Sequence, residues 1–128
     1  MILVDTSIWI HLFSKNNSYH ISQELLSQIM LCPPVVQEIL QGIREDRAHM
    51  SIREALLAFP LIANSIKLED YLFASEIYRL GREKGYTIRS STDCLIAALA
   101  IGAKIPVWHR DRDFDFISRF TSLKIFNF

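Results

Sequence analysis

The chain has 128 residues, half of them apolar and 22% charged, with a formal net charge of zero. That is the size and balance of one compact domain spanning residues 1–128, and it argues against a dedicated, highly basic nucleic-acid binder. The longest apolar stretches, Leu95–Ile101 and the broken run Leu56–Ile62, fall far short of the roughly 20 residues that span a bilayer, so no membrane segment is expected.

The opening Met-Ile-Leu-Val-Asp lacks the basic start of a secretory signal, which leads us to expect a cytoplasmic protein. Met1–Val4 reads as a short strand ending at Asp5. Thr6-Ser7 and then Ile8, Trp9, Leu12 and Phe13 at helical spacing read as a turn and a helix. After a polar loop, Ile21, Leu25, Leu26, Ile29 and Met30 mark one face of a second helix. Cys32-Pro33-Pro34 interrupts it, and Val35–Gln41 forms a new helix stopped by Gly42. Two more helices are predicted over Glu45–Ala58 and Leu68–Lys84. Ser90-Ser91-Thr92 supplies capping hydroxyls for a helix from Asp93 to Ala103 that is apolar almost all round, as a buried helix is. Ile105–Trp108 reads as a buried strand, Phe114–Phe120 as a short helix and Leu123–Phe128 as a terminal strand. Strands alternating with helices imply an α/β fold with a mostly parallel sheet, whose sites lie beyond the carboxyl ends of the strands.

That topology gathers acids at one edge. Asp5 follows the first strand, Asp111 follows the Val107-Trp108 strand, and Asp93 opens the buried helix. Glu38 is a fourth candidate, an acid on an otherwise apolar helix, while Asp113 and Asp115 extend the set. Two carboxylates about 4 Å apart repel by about 1 kcal/mol in water and by about 4 at the effective dielectric of a surface cleft, so such a group needs a counter-ion. Oxygen ligands select a hard cation, Mg²⁺ or Mn²⁺, suited to hydrolysing a phosphodiester bond. Each acid also has a plainer reading. Asp5 and Asp93 could cap or favour the starts of helices, Glu38 could be a surface residue, and the acids after position 110 could pair with Arg110, Arg112 and Arg119. Joint placement favours the site.

Charge is unevenly distributed. Five Lys/Arg face nine Asp/Glu up to Tyr78, whereas Arg79 to Arg112 holds seven against three. Arg79, Arg82, Arg89, Arg110 and Arg112 are therefore the candidates for phosphate contact. Cys32 and Cys94 make no C-x-x-C motif and read as buried thiols.

Val4-Asp5-Thr6-Ser7, Pro33-Pro34-Val35-Val36-Gln37-Glu38, Thr92-Asp93-Cys94-Leu95-Ile96-Ala97-Ala98 and His109-Arg110-Asp111-Arg112-Asp113-Phe114 together resemble the PIN domain, in particular the VapC-type toxins of toxin–antitoxin pairs. The resemblance implies a three-layer α/β/α fold around a mostly parallel sheet. It also implies a divalent-metal-dependent ribonuclease, with tRNA or ribosomal RNA as the substrate class. On this reading Asp5, Glu38, Asp93 and Asp111 are catalytic, Asp5, Asp93, Asp111 and Asp113 hold the metal, and Thr6 or Ser7 supports the first aspartate. It further implies a VapB-type antitoxin and a homodimer. Trp9 and Phe13 could form an antitoxin groove or simply pack in the core, and Phe126-Asn127-Phe128 could cover a sheet edge or an interface. His109 stands where many members have Thr or Ser, and reads as structural or near the substrate rather than catalytic. A haloacid-dehalogenase-type phosphotransferase would need an acid where Ser7 stands, and a receiver domain would need paired acids at the first strand. The remaining alternative is a catalytically silent PIN domain that binds RNA or a protein.

Overall fold

The computed structural model describes residues 1–128. The first strand, β1 (Ile2–Val4), is buried along its whole length, as a central parallel strand covered on both faces must be. Helix α1 (Thr6–Leu12) and a single turn, α2 (Gln23–Leu26), lead to strand β2 (Ile29–Met30). Helices α3 (Pro33–Gln41), α4 (Asp46–Leu57), α5 (Leu68–Glu83) and α6 (Ser91–Ala103) precede β3 (Val107–Trp108), and α7 (Arg112–Phe120) follows it. No helix is long and apolar enough to cross a membrane.

The sheet is all parallel, in the order β2-β1-β3. Ile2 and Leu3 stand opposite Ile29 and Met30, while Leu3 and Val4 stand opposite Val107 and Trp108. Helices α5, α6 and α7 pack on one another, and α1 packs on α3, which in turn contacts α4 and α6. Because β1 leads into α1 and β3 into α7, the chains leaving these two neighbouring strands join different helix groups. This is a topological switch point, where the carboxyl ends of strands leave a crevice. Asp5 and Asp111 are the residues at its lip.

The helix expected across Ile21–Met30 is the main correction. Ser22 caps one turn through its hydroxyl, which accepts from Leu25 N at 3.0 Å, and the chain then straightens so that Ile29 and Met30 join the sheet. Parallel pairing with β1 outweighs the local helical spacing. The prolines do not delay α3 but open it, filling first-turn positions whose N–H groups would lack partners. Asp93 is the third residue of α6 rather than its first. The terminal segment adds one bridge, Ile125 against Val107, in place of a full strand.

Helix α6 is the axis of the core, with Asp93 through Ala100 all buried. Its small residues Ala97, Ala98 and Ala100 let other elements approach closely. At its end Lys104 takes a left-handed conformation (φ 58°), and the backbone N–H of Ile105 donates back to Ala100 O at 3.1 Å, closing the helix just before β3. Both cysteines are buried and free.

Candidate active site

Each acid is set by the start of a helix or by a hydroxyl neighbour. Asp5 leaves β1 and caps α1. Its Oδ2 accepts from the Ser7 backbone N–H at 3.1 Å and from the Ser7 hydroxyl at 2.6 Å. The same Ser7 Oγ accepts from the Arg110 backbone N–H at 3.0 Å, so one hydroxyl ties the end of β1 to the loop after β3. Thr6 donates its hydroxyl to Glu38 Oε1 at 3.1 Å, fixing α3 to the same corner. Asp111 caps α7 by accepting from Asp113 N at 2.9 Å. Asp113, in the first turn of α7, is 1% exposed, and its Oδ2 accepts from the backbone N–H of Arg89 at 3.1 Å. Capping and gathering are therefore not rival explanations for Asp5: the caps made by Asp5 and Asp111 fix where their carboxylates point.

Asp93, Asp111 and Asp113 each offer a carboxylate oxygen, and these atoms lie within 4.8 Å of one another. Asp93 Oδ2 and Asp113 Oδ1 are buried without a hydrogen-bond partner. Buried polar atoms are nearly always satisfied, so two orphaned oxygens in one cluster mark a place for a ligand. The titration behaviour agrees. Burial, followed by the charges of Asp5, Asp111, Asp113 and Glu38, pushes the Asp93 carboxyl up to about 8. Asp5 is raised by burial against the lowering pull of Ser7, with a further push from Asp111. Glu38 is likewise raised by burial and by Asp5 and Asp111, opposed by Thr6. The five acids thus form one electrostatic group, with Asp93, Asp111 and Asp113 closest together and Asp5 and Glu38 beside them. A donor set made only of carboxylate oxygen suits a hard divalent cation, which would relieve the repulsion.

Among the remaining sequence candidates, Asp115 is exposed and lies outside the cluster, with Oδ1 3.2 Å from His109 Nε2 but out of line for a hydrogen bond. The His109 ring is buried and accepts from the Asp111 backbone N–H at Nδ1 (3.0 Å), which leaves the neutral ring's proton at Nε2. It braces the loop and offers no free base toward the acids. Arg89 reaches the acids directly: Nη2 is 3.7 Å from Asp111 Oδ1 and Nε is 3.8 Å from Asp113 Oδ1. Arg110 and Arg112 are exposed, without ion pairs, on either side of Asp111. Arg79 is paired with Glu76 at 2.9 Å on α5, and Arg82 lies over the Tyr78 ring, so neither is drawn to the acids. Sequence reading missed the backbone amides of Arg89 and Arg110 as supports of the site; only a fold can reveal main-chain contacts of this kind. Trp9 is core, its Nε1 donating to Val4 O at 3.2 Å, whereas Phe13 is exposed. Phe128 stacks on Trp108 with ring centroids 5.0 Å apart, so the C-terminal aromatics cover the edge of β3.

Beside Glu38 is a cavity of about 290 Å³ lined by Pro33, Gln37, Gln41, Tyr71, Thr92 and Leu95. Tyr71, Thr92 and Leu95 also line a larger neighbouring cavity of about 540 Å³ between α5 and α6.

The model of the PIN domain matches residues 2–119. Along its whole length the chain is 38% identical to the ribonuclease VapC11 of Mycobacterium tuberculosis and to the VapC ribonuclease Mb1587 of Mycobacterium bovis, and the alignment covers 99% of each. Among solved structures it resembles VapBC-1 from nontypeable Haemophilus influenzae, with a TM-score of 0.77 and 19% identity over 99% of this chain and 98% of that one. It also resembles VapBC2 from Rickettsia felis bound to a DNA fragment from their promoter, with a TM-score of 0.75 and 21% identity over 100% of this chain and 99% of that one. The parallel sheet, the acids at its switch point and these matches lead to one conclusion: the chain belongs to the PIN domain family.

Proposed function

We propose that the chain, one PIN domain over residues 1–128, is the toxin of a toxin–antitoxin pair and an endoribonuclease that hydrolyses RNA phosphodiester bonds with Mg²⁺ or Mn²⁺. The observation that carries this reading is the set of Asp93, Asp111 and Asp113 oxygens within 4.8 Å, together with the buried, unpartnered Asp93 Oδ2. Relatives named as ribonucleases over their full length supply the reaction class.

In this reading Asp93, Asp111 and Asp113 hold the cation, with Asp5 completing the negative wall. When bound, the cation neutralises phosphate charge and makes water a better nucleophile. Ser7 keeps Asp5 in place, and Thr6 holds one oxygen of Glu38. The raised proton affinity of Glu38, which lines the cavity beside it, suits it to take a proton as a water oxygen bonds to phosphorus; the ester P–O bond breaks with its electron pair on the leaving oxygen, which takes a proton from solvent. Arg110 and Arg112 steer the RNA backbone. The cytoplasm, where such RNA resides, is the proposed location.

Partners follow from the same reading. Exposed Ile10 on α1 and Phe13 just after it are the proposed contacts for a VapB-type antitoxin segment, and exposed Leu68, Tyr71 and Leu72 on α5 those for a second copy of the chain. The test is to incubate the purified chain, free of antitoxin, with tRNA and ribosomal RNA in Mg²⁺ or Mn²⁺ and in chelator. Cleavage that stops in chelator supports the reading. Cleavage indifferent to chelator contradicts it, and binding without any cleavage favours the silent PIN domain.

A further inference from the structure

Acids gathered at one crevice repel one another even before any cation arrives, and one basic side chain lies against them. Arg89, in the loop before α6, is the sole Lys or Arg within 4 Å of the cluster. Its main chain and side chain make different contacts. The backbone N–H donates to Asp113 Oδ2 at 3.1 Å, a true hydrogen bond, whereas the guanidinium stands 3.7 Å from Asp111 Oδ1 and 3.8 Å from Asp113 Oδ1. The latter distances exceed hydrogen-bond length and describe Coulombic contact alone. The Arg89 side chain is 60% exposed, so little packing holds it. The oxygen it approaches on Asp113 is one of the buried atoms left without a hydrogen-bond partner. The guanidinium therefore lies against oxygens that a cation would claim, loosely enough to leave.

Resting on the metal-carboxylate reading above, we infer that Arg89 is the resident counter-ion of the acid cluster: its guanidinium neutralises Asp111 and Asp113 in the metal-free chain and competes with the incoming divalent cation. Arg89 is in this sense a positioning residue. Its amide holds Asp113 in both states, and only its side chain withdraws. Replacing the side chain leaves the amide intact, so Arg89→Gln separates the two contacts.

The experiment is calorimetric titration of the chelator-treated, dialysed chain with Mn²⁺ alone, using wild type, Arg89→Gln, Arg89→Lys and Asp93→Asn, at low and high KCl. Arg89→Gln should bind Mn²⁺ on the order of tenfold more tightly at low salt, a modest factor because water and salt screen an exposed charge. The gain should shrink at high salt, and Arg89→Lys should stay close to wild type. Arg89→Gln should also lower the melting temperature of the metal-free protein. Equal or weaker Mn²⁺ binding by Arg89→Gln would overturn the inference while leaving the metal site standing. Failure of wild type to bind Mn²⁺, or binding by Asp93→Asn equal to wild type, would remove the metal-carboxylate reading and the inference with it.

Discussion

Asp93 shows how a residue's environment can be read as a pH dependence. The residue is 5% exposed and its carboxyl is pushed from 3.8 up to about 8, so in the metal-free chain the folded state holds this proton more tightly than the unfolded state does. Stability is then greatest below the unfolded value and falls as pH rises from about 4 toward about 8, with Asp5 and Glu38 acting in the same direction. Thermal melts in chelator should accordingly give a lower Tm at pH 8 than at pH 5.5. Saturating Mn²⁺ should offset that loss, and Asp93→Asn should flatten the profile. A metal-free protein that gains stability over this interval would contradict the proposed burial. His109 makes a second prediction. Because its Nδ1 accepts the Asp111 N–H and its ring packs on Phe114, His109→Ala should cost about 1–3 kcal/mol of stability yet keep cleavage within roughly tenfold of wild type. A loss of about 10²-fold or more in a variant that still folds would indicate an imidazole base instead.

At the scale of elements, what could be read in the sequence depended on whether local and tertiary preferences agreed. The apolar all-round α6, the prolines at the start of α3 and the strand-then-acid pattern of β1 and β3 were legible because propensity and burial point the same way there. Strand β2 was hidden because its own residues carry a helical pattern. Leu25, Leu26, Ile29 and Met30 fit one helix face, and only pairing with β1 draws Ile29 and Met30 into the sheet. The gathering of Asp5, Asp93 and Asp111 followed from topology, whereas the depth of Asp113 and the turn of Arg89 toward the acids depend on how α7 caps itself and on one loop amide. Two glycines test the helix ends. Gly102 lies in α6 with open space where a Cβ would stand, so Gly102→Ala should stabilise by up to about 1 kcal/mol. Gly85, just after α5, has φ +86°, so Gly85→Ala should destabilise by about 1–2 kcal/mol although nothing is near enough to clash. Chemical denaturation distinguishes the two signs.

For the whole molecule, a net charge of zero conceals a division of labour. The acids are drawn inward at the switch point of the sheet, and unpaired Arg110 and Arg112 flank them on the outside. RNA binding should therefore be salt-sensitive despite the neutral total. Replacing Arg112 with Gln should weaken binding across sequences and reduce the slope of log affinity against log salt by about 1, while Arg82→Gln should leave that slope unchanged. Above all, the buried carboxylates at this switch point are proposed to hold the cation on which RNA cleavage depends. The most direct test compares wild type and Asp93→Asn, both verified as folded, on one RNA after chelation and Mn²⁺ re-addition. Mn²⁺ should restore cleavage to wild type and leave Asp93→Asn at least about 10²-fold slower; equal restoration of both would contradict the metal-carboxylate site.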